Sequence, residues 1–158
     1  MRVDPGENSY SGGIAVTAKE FLNQAYRLNE LIASDVEELE RLRDLAVRIT
    51  GINYGERVQS SRDPDPPFIR YLDDIREMEK KLQSELCELV ELKKQIAGSL
   101  EMMEDREERL VLTYRYLDNR TWEQIASLLN VSDRTVHRVH ASALRNFPMP
   151  DESWHTLP

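Results

Sequence analysis

Between Ser132 and Asn146 the chain carries three arginines, two histidines and one aspartate on a stretch whose apolar residues recur at helical spacing. Val136, Val139, Ala143 and Leu144 make the inward stripe, which leaves Asp133, Arg134, His137, Arg138 and Ser142 facing out. An arginine guanidinium can bond a guanine edge bidentately in the major groove, and each good contact contributes about 1–3 kcal/mol of discrimination. A second short helical pattern precedes it, with Trp122, Ile125, Ala126 and Leu129 inward and Ala126 small where two helix backbones must approach. Thr121 and Ser132 stand at the two helix starts as N-caps, where neighbouring amides can hold phosphates. Asn130 and Val131 make the turn, with Val131 filling it. Two short helices held rigidly together, one of them offering basic and polar side chains, form the layout with which a helix-turn-helix enters the major groove.

What surrounds this segment looks at first unsuited to nucleic acid. The 158 residues carry a net charge of −8. The charge is unevenly spread: residues 106–147 hold seven Lys/Arg against five Asp/Glu, leaving 14 against 24 in the rest. A locally basic face can bind phosphates while acidic surroundings repel non-specific association. The residue usage is helical, rich in Leu, Glu, Arg, Ala and Lys, with no strand-like alternation and only six Gly. An all-α fold follows.

The acidic part reads as two long helices. Thr17 and Glu20 form a capping-box pattern that starts the first. Ala18, Ala25, Ile32, Leu39 and Ala46 then alternate with Phe21, Leu28, Asp35, Leu42 and Ile49 over five heptads, a coiled-coil seam interrupted only at Asp35. Two roles fit Asp35, fixing register or sitting at a rim. Gly51 is expected to end this helix in the left-handed conformation, and residues 51–67, with three prolines, read as a linker. Pro66 and Pro67 suit the first turn of a second helix. Its seam is Ile75, Leu82, Leu89, Ile96 and Met103, widened by Leu72, Met78, Leu86, Leu92 and Leu100, and Gly98-Ser99 offers a bend. Seams of equal length predict an antiparallel coiled-coil helical hairpin over residues 17–103. The wider second face exceeds one partner's cover, which points to a homodimer or to docking of the C-terminal part.

A cap at Asp105, with a carboxylate three residues on at Glu108, begins a helix carrying Leu110, Leu112, Tyr114 and Leu117 that stops at Asp118-Asn119. The expected organisation is therefore a flexible N-terminus over residues 1–16, the hairpin, a small helix-turn-helix domain over 104–147 ended by Pro148 and Pro150, and a tail over 148–158.

Val111-Leu112-x-x-Arg115-Tyr116, Thr121-x-Glu123-x-Ile125-Ala126, Val131-Ser132-x-Arg134-Thr135-Val136 and Ala141-x-Ala143-Leu144-Arg145 resemble the DNA-reading fourth region of bacterial sigma factors. With the N-terminal hairpin, Tyr116 and Trp122, most of the chain resembles the small late-operon transcriptional regulators of the ArpU/RinA type from phages and prophages. The sigma resemblance implies base readout by Asp133, Arg134 and Arg138, backbone contacts from Thr135 and His137, and a phosphate contact near Thr121. Together with Ser132 these seven are the candidate DNA-binding residues. Asp133 is acidic where housekeeping sigma factors carry a basic reader, and Arg134 basic where they carry an acidic one, so the resemblance does not extend to recognition of their usual promoter element. The aromatic-rich region with which sigma factors melt DNA has no counterpart, and the expectation is a sequence-specific regulator rather than a complete sigma factor.

The expected partners are double-stranded DNA, host RNA polymerase and a second copy of the chain. No cofactor is called for. His137 and His140 lie three apart, but no Cys or third ligand accompanies them and nearby arginines disfavour a cation, so no metal is expected. Cys87, the only cysteine, rules out a disulfide within the chain and is expected to pack in a helix interface. With no signal peptide or long apolar run, a soluble cytoplasmic location is expected, with no membrane contact. No nucleophile–base pair sits in a pocket-like setting, which argues against an enzyme. The rival from another class is a coiled-coil adaptor whose C-terminal bundle binds a protein, such as polymerase or a packaging component.

Overall fold

Thr17 and Glu20 close a capping box at the start of α1, Ala18–Ile52: the Thr17 amide donates to Glu20 Oε2 at 2.9 Å and the Glu20 amide to Thr17 Oγ1 at 3.2 Å. The computed structural model describes residues 16–52 and 67–150. The expected flexible N-terminus up to residue 15, the linker over 53–66 and the tail from 151 onward lie outside the described residues. α2, Pro67–Glu101, runs antiparallel to α1. Cross-helix pairs show the direction, since Arg43 meets Glu79 at 2.7 Å, Asp35 meets Lys81 at 2.6 Å and Asn29 meets Lys93 at 3.5 Å. At 1.5 Å per residue each of these 35-residue helices is about 52 Å long.

The heptad-spaced residues make the hairpin interface. Phe21, Ala25, Ile32, Leu39 and Ala46 of α1 are buried, as are Leu82, Leu89, Leu92, Ile96 and Leu100 of α2. Asp35, the one polar residue of the seam, is half-buried and bonded to Lys81, and this bond holds the Lys81 ammonium above its ordinary pKa. An interhelical ion pair at one register position disfavours sliding of the helices, because any shift separates the charges.

Three expectations about the hairpin need correction. Gly51 is helical within α1 and no described glycine has a positive φ, so it does not act as a left-handed cap. Cys87 is exposed, not packed in an interface. Leu86, assigned to the apolar face, is 47% exposed, because that face is wider than the single helix opposite it.

Three further helices follow: α3, Arg106–Leu112; α4, Trp122–Leu129; and α5, Asp133–Asn146. Among the described residues no strand occurs, so the fold is all-helical, long N-terminal helices followed by a small C-terminal helical domain. Asp105 caps α3 by accepting from the Glu107 and Glu108 amides at 2.8 and 3.0 Å. Glu108 does not complete the expected box. It is buried and turned to α5, where its carboxylate accepts from Ser142 Oγ and from Asn146 Nδ2. Hydrogen bonds to a charged group contribute about 1.5–3 kcal/mol each. Glu108→Ala is therefore expected to destabilise the chain by about 2–3 kcal/mol, measured as a lowered urea midpoint; no change in midpoint would contradict it.

α3 does not stop at Leu112 but widens into a π-helical turn over Thr113–Leu117, closed by the Asp118 amide on the Thr113 carbonyl at 3.1 Å. Across this stretch Val111, Leu112 and Tyr116 are fully or almost fully buried, whereas Leu110, expected inside, is 39% exposed. The chain then turns through Asn119, whose φ of 52° is the left-handed conformation that Asn tolerates better than most residues.

Two core clusters result, and α5 enters both. Val136 packs with Val111, Ile125 and Ala126 inside the small domain. Ala143, with Phe147 just beyond α5, packs with Phe21, Leu22, Ile96, Leu112 and Tyr116 in the core of the hairpin. The Phe21 and Phe147 rings lie 6.2 Å apart, and Lys93 Nζ donates to the Leu117 carbonyl at 2.8 Å. The small domain is thus packed onto the hairpin at the end formed by the start of α1 and the end of α2.

Candidate nucleic-acid interface

α4 and α5 are set against each other by local chemistry at their starts. Thr121 and Gln124 form a capping box, the Gln124 amide donating to Thr121 Oγ1 at 3.3 Å and the Thr121 amide to Gln124 Oε1 at 3.0 Å. Asn130 ends α4 at φ 54°, and Ser132 caps α5 by accepting from the Thr135 amide at 3.2 Å. Ile125, Ala126 and Val136 fill the space between them. Val131, expected to fill the turn, is 40% exposed.

Asp133, Arg134, His137 and Arg138 are all exposed on α5 and share its outward side, in the half of the helix remote from the hairpin contact at Ala143 and Phe147. Neither Arg134 nor Arg138 has a hydrogen bond or ion pair with any described residue, so both guanidinium groups are free to meet a ligand. Thr121 and Ser132 are exposed as well, but their hydroxyls are engaged in the two caps. Thr135 is half-buried, its hydroxyl 2.9 Å from that of Ser132. The caps occupy the Gln124 and Thr135 amides, and the amides of Asp133 and Arg134 in the first turn of α5 have no partner among the described residues. A helix start with such amides attracts anions. Ser142 leaves the expected outward set, because it is half-buried and donates to Glu108.

The two histidines divide. His137 stays exposed, its ring 4.7 Å from the Trp122 ring. His140 is buried 2.9 Å from the Tyr116 hydroxyl and 4.8 Å from Trp122. Burial pushes the His140 ring down to about 4, aided by the positive charges of His137, Arg115 and Lys19, and pushes the Tyr116 hydroxyl up to about 12. At neutral pH the ring is therefore uncharged, and its Nε2 can accept a hydrogen bond donated by the Tyr116 hydroxyl. An unfolded chain protonates this histidine near 6.5. Between pH 6.5 and 4 the unfolded state binds more protons than the folded one, so stability falls as the pH is lowered through that window. In His140→Gln that part of the loss is expected to disappear, giving a flatter series of urea midpoints across the window; a slope identical to that of the parent chain would refute it.

Arg115 has a role that helical spacing did not disclose. Its guanidinium lies 4.2 Å from the Tyr26 ring centre on α1 and 4.3 Å from that of Trp122 on α4, and it donates to the Arg120 carbonyl at 2.9 Å. The cation thus joins α1 of the hairpin to α4. Glu108 and Arg115 were both missed because their partners lie on other elements. The one available hint was the i, i+4 pair Ser142 and Asn146, two small polar residues on the side of α5 that also carries buried Ala143.

Comparison with known proteins gives the geometry a relative. Residues 105–146 match the family model of sigma-70, region 4. This segment is just over a quarter of the chain and begins at the Asp105 cap. No curated protein and no solved structure matches the chain. Sigma-70, region 4 is a DNA-binding helix-turn-helix domain, and α4 and α5 fall at the two-helix unit of the matched segment. No helix among the described residues is long and apolar enough to cross a membrane.

Proposed function

We propose that this protein is a sequence-specific transcriptional regulator that reads the major groove through α5. The carrying observation is that Arg134 and Arg138 stand exposed with no bond to another described residue, with His137 exposed beside them, on the second helix of a segment similar to sigma-70, region 4. Arg134 and Arg138, with Asp133, read bases; Thr135 and His137 contact the backbone; Thr121 and Ser132 position phosphates at the two helix starts. The identities at Asp133 and Arg134 set a target different from the common promoter element. The hairpin pairs two copies or engages host RNA polymerase in the cytoplasm, and the arrangement of hairpin and reading head suits a phage or prophage late-operon regulator of the ArpU/RinA type.

Selection of bound sequences from random duplex DNA tests this reading. Enrichment of a defined motif is the expected result, and the absence of any enrichment would overturn it. A protein-binding adaptor is the second reading, favoured by the apolar exposure of Leu86 and Val90 on α2. It predicts partner capture indifferent to DNA and to substitutions on α5.

A further inference from the structure

The small domain covers α2 at Leu92, Ile96 and Leu100 but leaves a stripe further back along the helix open. There Leu86 is 47% and Val90 53% exposed, Cys87 is exposed beside them, and with Leu39 and Leu82 they line an open, mainly apolar groove. Single exposed apolar residues are ordinary, whereas a contiguous stripe on a helix marks a contact surface. The charges around it are arranged symmetrically. Glu79 lies seven residues before Leu86 and Lys94 seven residues after Cys87, and both line the same groove. Seven residues are close to two helical turns, which keeps all four on one side of α2.

We propose that a second copy of this chain covers this stripe, its α2 antiparallel to the first and the two-fold axis passing between Leu86 and Cys87. A two-fold contact presents the same patch twice, so the patch must complement itself under reversal. Reversal about this point sets Glu79 of each copy opposite Lys94 of the other and packs Leu86 against Cys87. A parallel arrangement would set Glu79 on Glu79 and Lys94 on Lys94, and like charges so placed repel. Lys94 is available for the contact: its side chain is 71% exposed and its ion pair with Glu91 is long at 3.9 Å. Glu79 already accepts from Arg43 at 2.7 Å, so the contact extends that pair into a three-charge network. The antiparallel form sends the two reading heads to opposite ends of the assembly. The C-termini of α2 then lie about 43 Å apart along the helices, and the operator carries inverted half-sites, one for each head. The surface is read from the hairpin itself; its regulatory consequence rests on the proposed pairing of DNA-reading copies.

Sedimentation of the full chain at micromolar concentration, before and after substitution, tests the surface. The expected mass is that of two chains. Leu86→Lys with Val90→Lys is expected to weaken the dimer at least about tenfold with unchanged helical circular dichroism, since both side chains are exposed. Glu79→Lys and Lys94→Glu should each weaken it, and the two together should restore it toward the parent value. A monomer at concentrations on the order of 100 µM would overturn the proposal, and failure of the double charge swap to restore pairing would overturn the antiparallel register. A dimer indifferent to the Leu86 and Val90 substitutions would overturn this surface while leaving pairing through another face intact. Failure of DNA selection would instead overturn the reading function and leave the mass unchanged.

Discussion

Replacing Phe147 by Ala is expected to cost about 3–5 kcal/mol, the range for a large aromatic side chain removed from a core. Phe147 is 6% exposed, faces the Phe21 ring and belongs to the cluster that unites the start of α1, the end of α2 and the small domain. It lies just outside α5 with an extended backbone, so the substitution removes packing without disturbing the helix. The energetic loss is only part of the expected result. Val111, Ile125, Ala126 and Val136 form a separate cluster that Phe147 does not enter, and the fold of the reading pair should survive its removal. Urea unfolding followed by two probes, Trp122 fluorescence in a Trp154→Phe background and helical circular dichroism, should pass from one shared transition to two separated ones. Coincident transitions with a loss below about 1 kcal/mol would show that the head and hairpin are not joined through this contact.

The Arg134→Ala, Arg138→Ala double variant is expected to lose sequence preference while keeping its fold. Each bidentate arginine–guanine contact contributes about 1–3 kcal/mol of discrimination, so the pair removes about 2–6 kcal/mol if both read bases independently. Stability should be unchanged, because both side chains are exposed and neither bonds to another described residue. The salt dependence separates the roles. Loss of a base contact relaxes preference at one position of the site, whereas loss of a phosphate contact weakens binding to all sequences and lowers the salt slope by about one. A double variant that still enriches the parent motif with the parent affinity would remove these two arginines from the reading role. It would leave Asp133 and His137 as the remaining exposed candidates within α5.

Features visible in the sequence are those whose physics is local. The caps at Thr17, Asp105, Thr121 and Ser132 involve side chains and amides at most three residues apart, and all four are present. Phe21, Ala25, Ile32, Leu39 and Ala46 of α1 and Leu82, Leu89 and Ile96 of α2 are buried as expected, because a seven-residue period keeps one side of a helix against its partner. Leu28, Leu42, Ile49 and Ile75 at the seam are half-buried. Glu108 shows where such reasoning stops. Its position three residues after a cap predicts a local bond, yet Ser142 and Asn146, 34 and 38 residues away, take its carboxylate. Val131 fails in a similar way: the turn is correctly placed, but whether its side chain is covered depends on elements outside the turn.

Periodicity, capping and charge sufficed for an all-helical chain, an antiparallel hairpin and an α5 whose outward side carries Arg134, His137 and Arg138, since each depends on residues within a few turns of one another. Tertiary structure decided the rest. It placed Phe147 against Phe21, set Arg115 between Tyr26 and Trp122, buried His140 under Tyr116 and left Leu86, Cys87 and Val90 uncovered. A helix pattern shows how wide an apolar face is, but only the packed partners determine how much of that face is covered and which residues remain to meet another molecule.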